Sequence, residues 1–245
     1  MNERFETALA KVLEFHTREG IGTLSEGTLH AVIKNYLDSD ESHHERKYLR
    51  FFCDVYDGDH IYEIQTRQLF KLGRKLTVFL PEKRVTVVFP ISGQKNVFWI
   101  DQATGEFSGG RKSPRSGRAT DVLPELYGIV DYLNEPNIDI LVLLFRMDEY
   151  RNLNGWGRGG KRGSSRYDRI PRELTNEVHL KTADDYRAIL PNDLPQTFSA
   201  KEFSKFVKLS IGASYGALKV LEKVGVVTIS KEGRLNSYSL NPTRI

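Results

Sequence analysis

Two acidic side chains of a predicted hairpin have the types and the spacing needed to hold a divalent cation. If Gly58 and Asp59 form a two-residue turn, with the glycine supplying a positive φ, Asp54 stands directly opposite Glu63 on the next strand. Their Cβ atoms would then lie ~5 Å apart. If Asp57 and Gly58 form the turn instead, the two carboxylates sit on a diagonal and still reach one ion.

This pair of carboxylates predicts a magnesium site. Like charges directly opposite each other destabilise a sheet unless something compensates them. Magnesium takes one or two protein carboxylates, keeps several waters and accepts substrate phosphate oxygens. Gln65 projects from the same face as Glu63 and could hold the attacking water or the phosphate, while Glu26, on the inward stripe of a predicted helix, is a third candidate ligand. The alternatives are an ordinary polar strand face for Asp54 and Glu63, and a first-turn acid favoured by the helix dipole for Glu26.

The elements that must position these residues follow from hydrophobic periodicity. Apolar stripes predict helices over 5–16, 25–37, 68–79 and 122–133, and apolar runs predict strands over 49–56, 60–66, 84–91, 96–100 and 138–145. Two segments rich in Gly, Ser, Arg and Lys, 108–118 and 152–166, read as loops. The order of elements predicts an α/β (α+β) fold with a mixed central sheet.

The order of these motifs resembles the PD-(D/E)XK nuclease superfamily over roughly residues 20–100. The matching residues are Glu26 in the first helix, Asp54 in the strand and Glu63-Ile64-Gln65 after the turn. The resemblance implies a restriction-endonuclease-like sheet flanked by helices, with Mg²⁺ or Mn²⁺ bound by the Asp and the Glu. It also implies that the last motif position activates water. The family usually has Lys where this chain has Gln65, and Cys53 stands where the family has Pro.

The substitution of glutamine for lysine raises the question of where the positive charge and the base come from. Lys71, Lys75 and Arg67 lie nearby in the sequence and are candidates to replace the charge. Glutamine is no general base at neutral pH, so the proton of the attacking water must pass to solvent, to the substrate phosphate or to a neighbouring residue. His30, one helical turn after Glu26, is a candidate neighbour, with a structural polar contact as the alternative.

The two basic loops are predicted to contact nucleic acid, because Arg and Lys hold phosphates and interleaved aromatic rings can stack on bases. Flexible, solvated insertions are the alternative. The candidate contacts are Arg111, Lys112 and Arg115 in one loop and Arg158, Lys161 and Arg162 in the other.

The C-terminal fifty residues resemble the winged helix-turn-helix family. A capping box at Ser199–Glu202 begins one helix, a second is predicted over 213–224, and two strands flank a turn at 231–234. In that family the second helix enters the major groove and the wing contacts the backbone. The resemblance places Ser214, Tyr215 and Lys219 on the outer face of that helix and Lys231 and Arg234 on the wing. The alternative is a winged helix that contacts only protein.

The charge distribution and the composition indicate a polyanion contact in the C-terminal residues and exclude several other classes of protein. The 245 residues carry a formal net charge of +4, yet residues 196–245 alone hold eight Lys or Arg against three Glu. One cysteine excludes an intramolecular disulfide and a thiolate metal cage. No apolar stretch reaches the ~18 residues of a membrane helix, and the N-terminus lacks the apolar region of a signal peptide.

Together these patterns predict a cytoplasmic, metal-dependent DNA endonuclease-like protein. Residues 1–190 would form the nuclease-like domain, 191–195 a linker and 196–245 a winged-helix DNA-binding domain. The expected partner is double-stranded DNA, with a homodimer left open and no membrane partner. The alternative function is a non-catalytic DNA-binding or regulatory protein with an inactive nuclease fold.

Overall fold

The computed structural model of the chain describes residues 2–19, 27–101, 104, 106–152, 165–232 and 235–242. The chain divides into two compact units that interleave in sequence. The first comprises Met1–Arg46, Ile91–Arg118 and Leu143–Glu177, and the second comprises Lys47–Pro90, Ala119–Val142 and Val178–Ile245. Among the described residues, no helix combines the length and the apolar character that crossing a membrane requires.

Seven α-helices lie in the described parts of the chain, several of them extended by 3-10 turns. Most begin near the predicted positions, because the apolar stripes that predicted them are the faces they bury. The helices are α1 (Glu3–Glu19), α2 (Thr28–Leu37), α3 (Gly73–Phe79), α4 (Leu123–Leu126), α5 (Ala183–Ala188), α6 (Ala200–Val207) and α7 (Ile211–Lys223).

The strands form one large mixed sheet and two small antiparallel ones. The six-stranded sheet has the order β3-β4-β5-β7-β8, with β6 paired to β5. Strand β4 pairs antiparallel with β3 and parallel with β5, which confirms the predicted mixed central sheet flanked by helices. The strands are β1 (Lys47–Tyr48), β2 (Phe51–Phe52), β3 (Val55–Tyr56), β4 (His60–Ile64), β5 (Arg84–Ile100), β6 (Phe107–Lys112), β7 (Ile138–Asn152), β8 (Ser165–Leu180), β9 (Thr197–Ser199), β10 (Val227–Glu232) and β11 (Leu235–Leu240).

The core of the first unit lies where α1 and α2 pack against β7. Phe5 on α1 is 2% exposed, and its ring centroid lies 5.6 Å from that of Phe145. The stripe predicted for α2 is buried, with Val32 and Ile33 completely inaccessible. Tyr36 hydrogen-bonds to Glu177 of β8 at 2.5 Å, which ties this helix to the sheet.

The second unit holds the predicted hairpin, α3, α4 and the C-terminal elements. Strands β9, β11 and β10 form a three-stranded antiparallel sheet. Helix α6 begins with the predicted capping box, since Ser199 accepts from the Glu202 N–H and Glu202 accepts from the Ser199 N–H. Gly225 follows α7 at φ +82°, the left-handed conformation expected of a C-terminal glycine cap.

Helix α7 is buried on more than one side. It packs against α6 and also against α4 and the 3-10 turn that follows α4. Gly216 lies close to this turn, because a Cβ built there would sit 3.6 Å from the Tyr127 Cβ. Leu190 and Leu194, at the predicted linker, are each only 7% exposed. The C-terminal elements therefore share a compact unit with the hairpin, while the predicted domain boundaries stay a prediction.

Two predicted elements are wrong. The loop expected over 108–118 is partly strand β6, which pairs with β5 through a register shift between Val97 and Trp99. The single strand expected over 49–56 is broken into β2 and β3 at Asp54, which lies at a bend. In both places backbone pairing with a neighbouring strand, rather than local propensity, decides the structure.

Candidate functional site

The hairpin of β3 and β4 has the register that brings Asp54 toward Glu63. Val55 pairs with Tyr62 and Tyr56 with Ile61, as the two-residue turn predicts. Gly58 has φ +117°, which confirms why a glycine is needed in this turn. The alternative register is therefore excluded.

Asp54 is held in place by the backbone of the opposite strand. Its Oδ2 atom accepts a hydrogen bond from the Ile64 N–H at 2.6 Å, so the carboxylate is directed across the hairpin at the residue after Glu63. The break between β2 and β3 releases Asp54 from strand pairing and permits this contact. The side chain remains half-buried, so it keeps a route to solvent.

Glu63 is a buried acid with a defined cationic partner. It is 1% exposed, and Lys75 on α3 donates to its Oε1 and its Oε2 at 2.8 Å each. The same ammonium donates to the Phe52 carbonyl oxygen at 2.6 Å. Of the three cations considered for replacing the motif lysine, Lys75 is therefore the one seen on the carboxylate. A buried carboxylate without such a partner would be strongly disfavoured.

The charged groups of the hairpin site influence the pKa of the buried Cys53 thiol. Burial, with the negative charges of Glu63 and Asp54, raises its pKa to about 12, although Lys75 opposes them. All three charged groups therefore act on the same buried sulfur. Cys53 is inaccessible to solvent, so its thiol takes no part in surface chemistry.

Gln65 continues β4 toward the centre of the sheet. Its N–H donates to the Val88 carbonyl oxygen at 2.9 Å, and its side chain is half-buried. The third predicted ligand, Glu26, lies outside the described residues. The same holds for Arg158, Lys161 and Arg162 of the second basic loop and for Arg234 of the wing.

The described basic candidates are all accessible, although two are not where the sequence predicted them. Arg111 and Lys112 lie on strand β6 instead of in a loop, and Arg115 follows in the loop after that strand. Lys231 is exposed on β10. These positions leave their side chains able to contact a polyanion.

One predicted contact on α7 is wrong and two stay open. Ser214 is completely buried, and its hydroxyl donates to the Ser210 carbonyl oxygen at 3.0 Å, so it does not lie on the outer face. The reason is that α7 buries a second side beyond its apolar stripe. Tyr215 is 54% exposed, and Lys219 is exposed beside Glu222, to which it donates at 2.9 Å.

Sequence reasoning missed a second buried acid, Glu149 on β7. The apolar run that predicted this strand ends at Phe145, yet β7 continues to Asn152 and buries Met147 and Glu149. The available signal was the alternation that continues past Phe145 with a charged residue at an inward position.

Comparison with known proteins places the chain in a family. Residues 27–181 match the family described as "Domain of unknown function (DUF8091)", and because this match covers more than half of the chain, the chain belongs to that family. A protein of Treponema pallidum (strain Nichols), named "Uncharacterized protein", is 26% identical over 224 residues, covering 91% of this chain and 88% of its own. No solved structure matches the chain significantly.

Proposed function

We propose that the hairpin site hydrolyses phosphodiester bonds of double-stranded DNA with the help of Mg²⁺ or Mn²⁺, in a cytoplasmic protein with a restriction-endonuclease-like core. The observation that carries the proposal is the joint placement of Asp54, Glu63 and Lys75. Asp54 precedes β3 and accepts from the Ile64 N–H, next to Glu63 on β4, and the ammonium of Lys75 lies 2.8 Å from both Glu63 oxygens. The mixed pairing of β4 is in keeping with the sheet of the nuclease superfamily.

The donor set fits a hard divalent cation. Asp54 and Glu63 are the two residues that would hold it, and two carboxylates with water are the ligands that Mg²⁺ prefers in proteins. The carboxylates of Asp54 and Glu63 supply the negative charge that would attract such a cation. Glu63 can bind a cation while it accepts from Lys75, because each carboxylate oxygen can accept more than one hydrogen bond. When bound, the ion would supply positive charge at the reacting phosphate.

Lys75 takes the place of the lysine that the superfamily has at the position of Gln65. A water oxygen forms a bond to phosphorus and gives up its proton to solvent, the ester P–O bond breaks, and the departing oxygen takes a proton from solvent. The ammonium of Lys75 stabilises the negative charge that develops on the phosphate oxygens, and the buried Glu63 holds that ammonium in position. The Gln65 amide orients water without removing its proton.

The C-terminal elements support binding to duplex DNA. The order α5, β9, α6, α7, β10, β11, with sheet order β10-β11-β9, is the arrangement expected of a winged helix. On α7, Tyr215 and Lys219 form an exposed strip that could face a groove. This strip is narrow, because α7 is also covered by α4 and the turn after it. Point variants therefore test the tail better than its removal, which would uncover α4.

A second function is favoured by the same ion pair. Lys75 already compensates the buried charge of Glu63 without a metal, and Gln65 offers no base. A non-catalytic DNA-binding protein with an inactive nuclease fold would retain this pair for stability alone. The two functions differ in their prediction for a variant in which Asp54 has lost its charge. Cleavage of DNA should fall if the protein is a nuclease, whereas a non-catalytic protein has no cleavage to lose.

Single-turnover cleavage of duplex DNA in Mg²⁺, Mn²⁺ and EDTA separates these two functions. The proposal predicts divalent-dependent cleavage by the native chain, and a loss of at least ~10²-fold in Asp54→Asn because one carboxylate ligand is removed. Asp59→Asn is the matched control, since Asp59 is an exposed carboxylate at the turn of the same hairpin. Duplex binding should survive in both variants. Equal cleavage by native protein and Asp54→Asn, or binding with no cleavage under any divalent ion, would reject hydrolysis at this site.

A further inference from the structure

A cluster of charge in the first unit has no place in the hairpin chemistry. Glu149 on β7 is 1% exposed. Arg151 donates to its Oε1 from Nε at 2.6 Å, and Lys95 donates to its Oε2 at 3.0 Å. The Nε of Arg166 lies 3.6 Å from Oε2. One buried carboxylate therefore has three cationic side chains directly around it.

The cluster contains more positive charge than its carboxylates neutralise. Arg169 is a fourth cation, under the electrostatic influence of Arg166, Glu149 and Asp168. Asp168, the second acid, is already engaged at the start of α2, where it accepts hydrogen bonds from the N–H and the hydroxyl of Thr28. Among the residues that the structure describes, four cations surround two carboxylates, so their summed charge is positive.

The pKa shifts of Glu149 and Arg169 agree with a surplus of positive charge in the cluster. Burial raises the pKa of Glu149, but hydrogen bonds from Lys95 and Arg151 outweigh burial and hold the pKa below its ordinary value. The carboxylate therefore stays ionised and keeps the cations gathered. Burial, followed by the neighbouring charge of Arg166, lowers the pKa of Arg169 to about 10. An incoming anion would relieve both effects on this guanidinium.

The cationic groups remain within reach of a ligand. The side chain of Arg166 is 47% exposed and that of Lys95 is 22% exposed, whereas the carboxylate that gathers them is at 2%. Each guanidinium carries five donors in a planar fork that matches phosphate oxygens, and the contacts to Glu149 use only part of them. The surplus favours an anion, and the oxygens of a backbone diester or of a free phosphate both match these planar forks.

We propose that Lys95, Arg166 and Arg169 form a phosphate-binding site, with Glu149 as the buried anchor that preorganises the cations. The group bound is a phosphate, either of a nucleic-acid backbone or of a free phosphorylated ligand. Assigning it to the nucleic-acid backbone rests on the proposed function. The site shares no residue with the Asp54 hairpin, and its chemistry differs because it gathers cations where the hairpin site has two carboxylates.

Phosphate binding by the full-length chain tests the site directly. Pyrophosphate and inorganic phosphate should raise the thermal midpoint of the native protein, measured by scanning fluorimetry at constant ionic strength. The shift should disappear in Arg166→Gln and Arg169→Gln. It should persist in Arg146→Gln, because Arg146 lies on β7, the strand of Glu149, and forms an exposed pair with Glu173 outside the cluster. An equal shift in all four proteins, or none in the native chain, would overturn the site.

Duplex DNA binding at fixed salt identifies the source of the phosphate. Arg166→Gln and Arg169→Gln should each weaken duplex binding roughly tenfold, the effect of losing one charged contact, while Arg146→Gln changes it little. Protection by pyrophosphate with equal duplex affinity in all variants would assign the site to a free ligand and leave the hairpin proposal untouched. Loss of protection in the variants with intact cleavage would support the site and show that hydrolysis does not need it.

Glu149→Gln distinguishes a preorganised phosphate site from a surface that attracts phosphate only by its positive charge. The change makes the cluster more positive, so a diffuse electrostatic attraction predicts tighter phosphate and duplex binding. A preorganised site predicts weaker binding, because the cations lose the carboxylate that gathers them. Tighter binding by a folded Glu149→Gln protein would overturn the anchor role. If this variant does not fold, Lys95→Gln provides the second test, with a loss of pyrophosphate protection expected and full protection contradicting the site.

Discussion

Glu63 and Glu149 are both buried to 1% exposure, yet the charged side chains around them differ. Glu63 accepts hydrogen bonds from Lys75, and a second carboxylate, Asp54, accepts from the Ile64 N–H of the same hairpin. Glu149 has Lys95, Arg151 and Arg166 around it. We expect the neighbouring carboxylates of the first cluster to attract a cation and the gathered cations of the second to attract an anion. Burial alone therefore predicts no ligand, because the surrounding charges decide what each site attracts.

The largest effect should follow from removing Lys75 from the first cluster. Lys75→Met takes the ammonium away from the buried Glu63 carboxylate, which should lower the free energy of unfolding by about 3–5 kcal/mol. Denaturant unfolding followed by circular dichroism measures this loss. Adding Glu63→Gln to Lys75→Met should restore much of it, because the buried charge is then absent. A double variant as unstable as the single one would show that Lys75 stabilises the fold through packing instead.

A smaller effect should follow from removing one of several cations in the second cluster. Arg151→Gln should lower the free energy of unfolding by only about 1 kcal/mol, because Lys95 and Arg166 still compensate Glu149. The same denaturant titration measures it beside Lys75→Met. If Arg151→Gln and Lys75→Met lost the same free energy of unfolding, the other cations around Glu149 would not be compensating for Arg151.

The second cluster should also respond to acid. The folded-state pKa of Glu149 lies below its ordinary value of 4.5. Its contribution to stability is therefore present above pH 4.5 and is lost as the pH falls through the lowered folded-state value. Thermal midpoints between pH 6 and pH 3 should fall less steeply in Glu149→Gln than in the native chain. Parallel curves would show that Glu149 is not held ionised by its neighbours.

The smallest effect concerns the exposed strip of α7. Lys219→Ala should lower by about one the slope of log affinity against log salt for duplex DNA, provided that Lys219 meets a phosphate. If it reads a base instead, discrimination between sequences should also fall by ~1–3 kcal/mol. Lys223→Ala, at the end of the same helix, gives the comparison for an exposed lysine near the helix C-terminus. Unchanged affinity and slope in both variants would indicate that the C-terminal elements contact a protein partner instead of DNA.

Much of the site could be predicted from local sequence because its geometry is local. The turn at Gly58 and Asp59 fixes the pairing of residues only a few positions apart, so the register that faces Asp54 with Glu63 follows from the turn alone. The capping box at Ser199 is likewise a short-range contact. The contact between Lys75 and Glu63 was not predictable, since it depends on how α3 packs beside β4.

The parts of the fold that the sequence did not predict depend on long-range pairing. Strand β8 contains Pro171 and many polar residues, which argue against a strand, but β8 is at the end of the strand order, where a missing N–H is tolerated. Strand β6 contains Gly109 and Gly110, and a Cβ at Gly110 would sit 2.5 Å from the Phe98 ring. These glycines suggested a loop, whereas Gly110 allows the ring of the paired strand to approach the backbone closely.

The most direct test of the account is a titration of Mg²⁺ or Mn²⁺ into four proteins, followed by calorimetry. The native chain and Glu149→Gln should bind the ion alike, because the second cluster repels cations. Asp54→Asn should lose this binding, and Asp59→Asn, with its exposed carboxylate at the hairpin turn, should retain it. Binding that is unchanged in Asp54→Asn, or absent from the native chain, would contradict the claim that the hairpin carboxylates form a divalent-cation site.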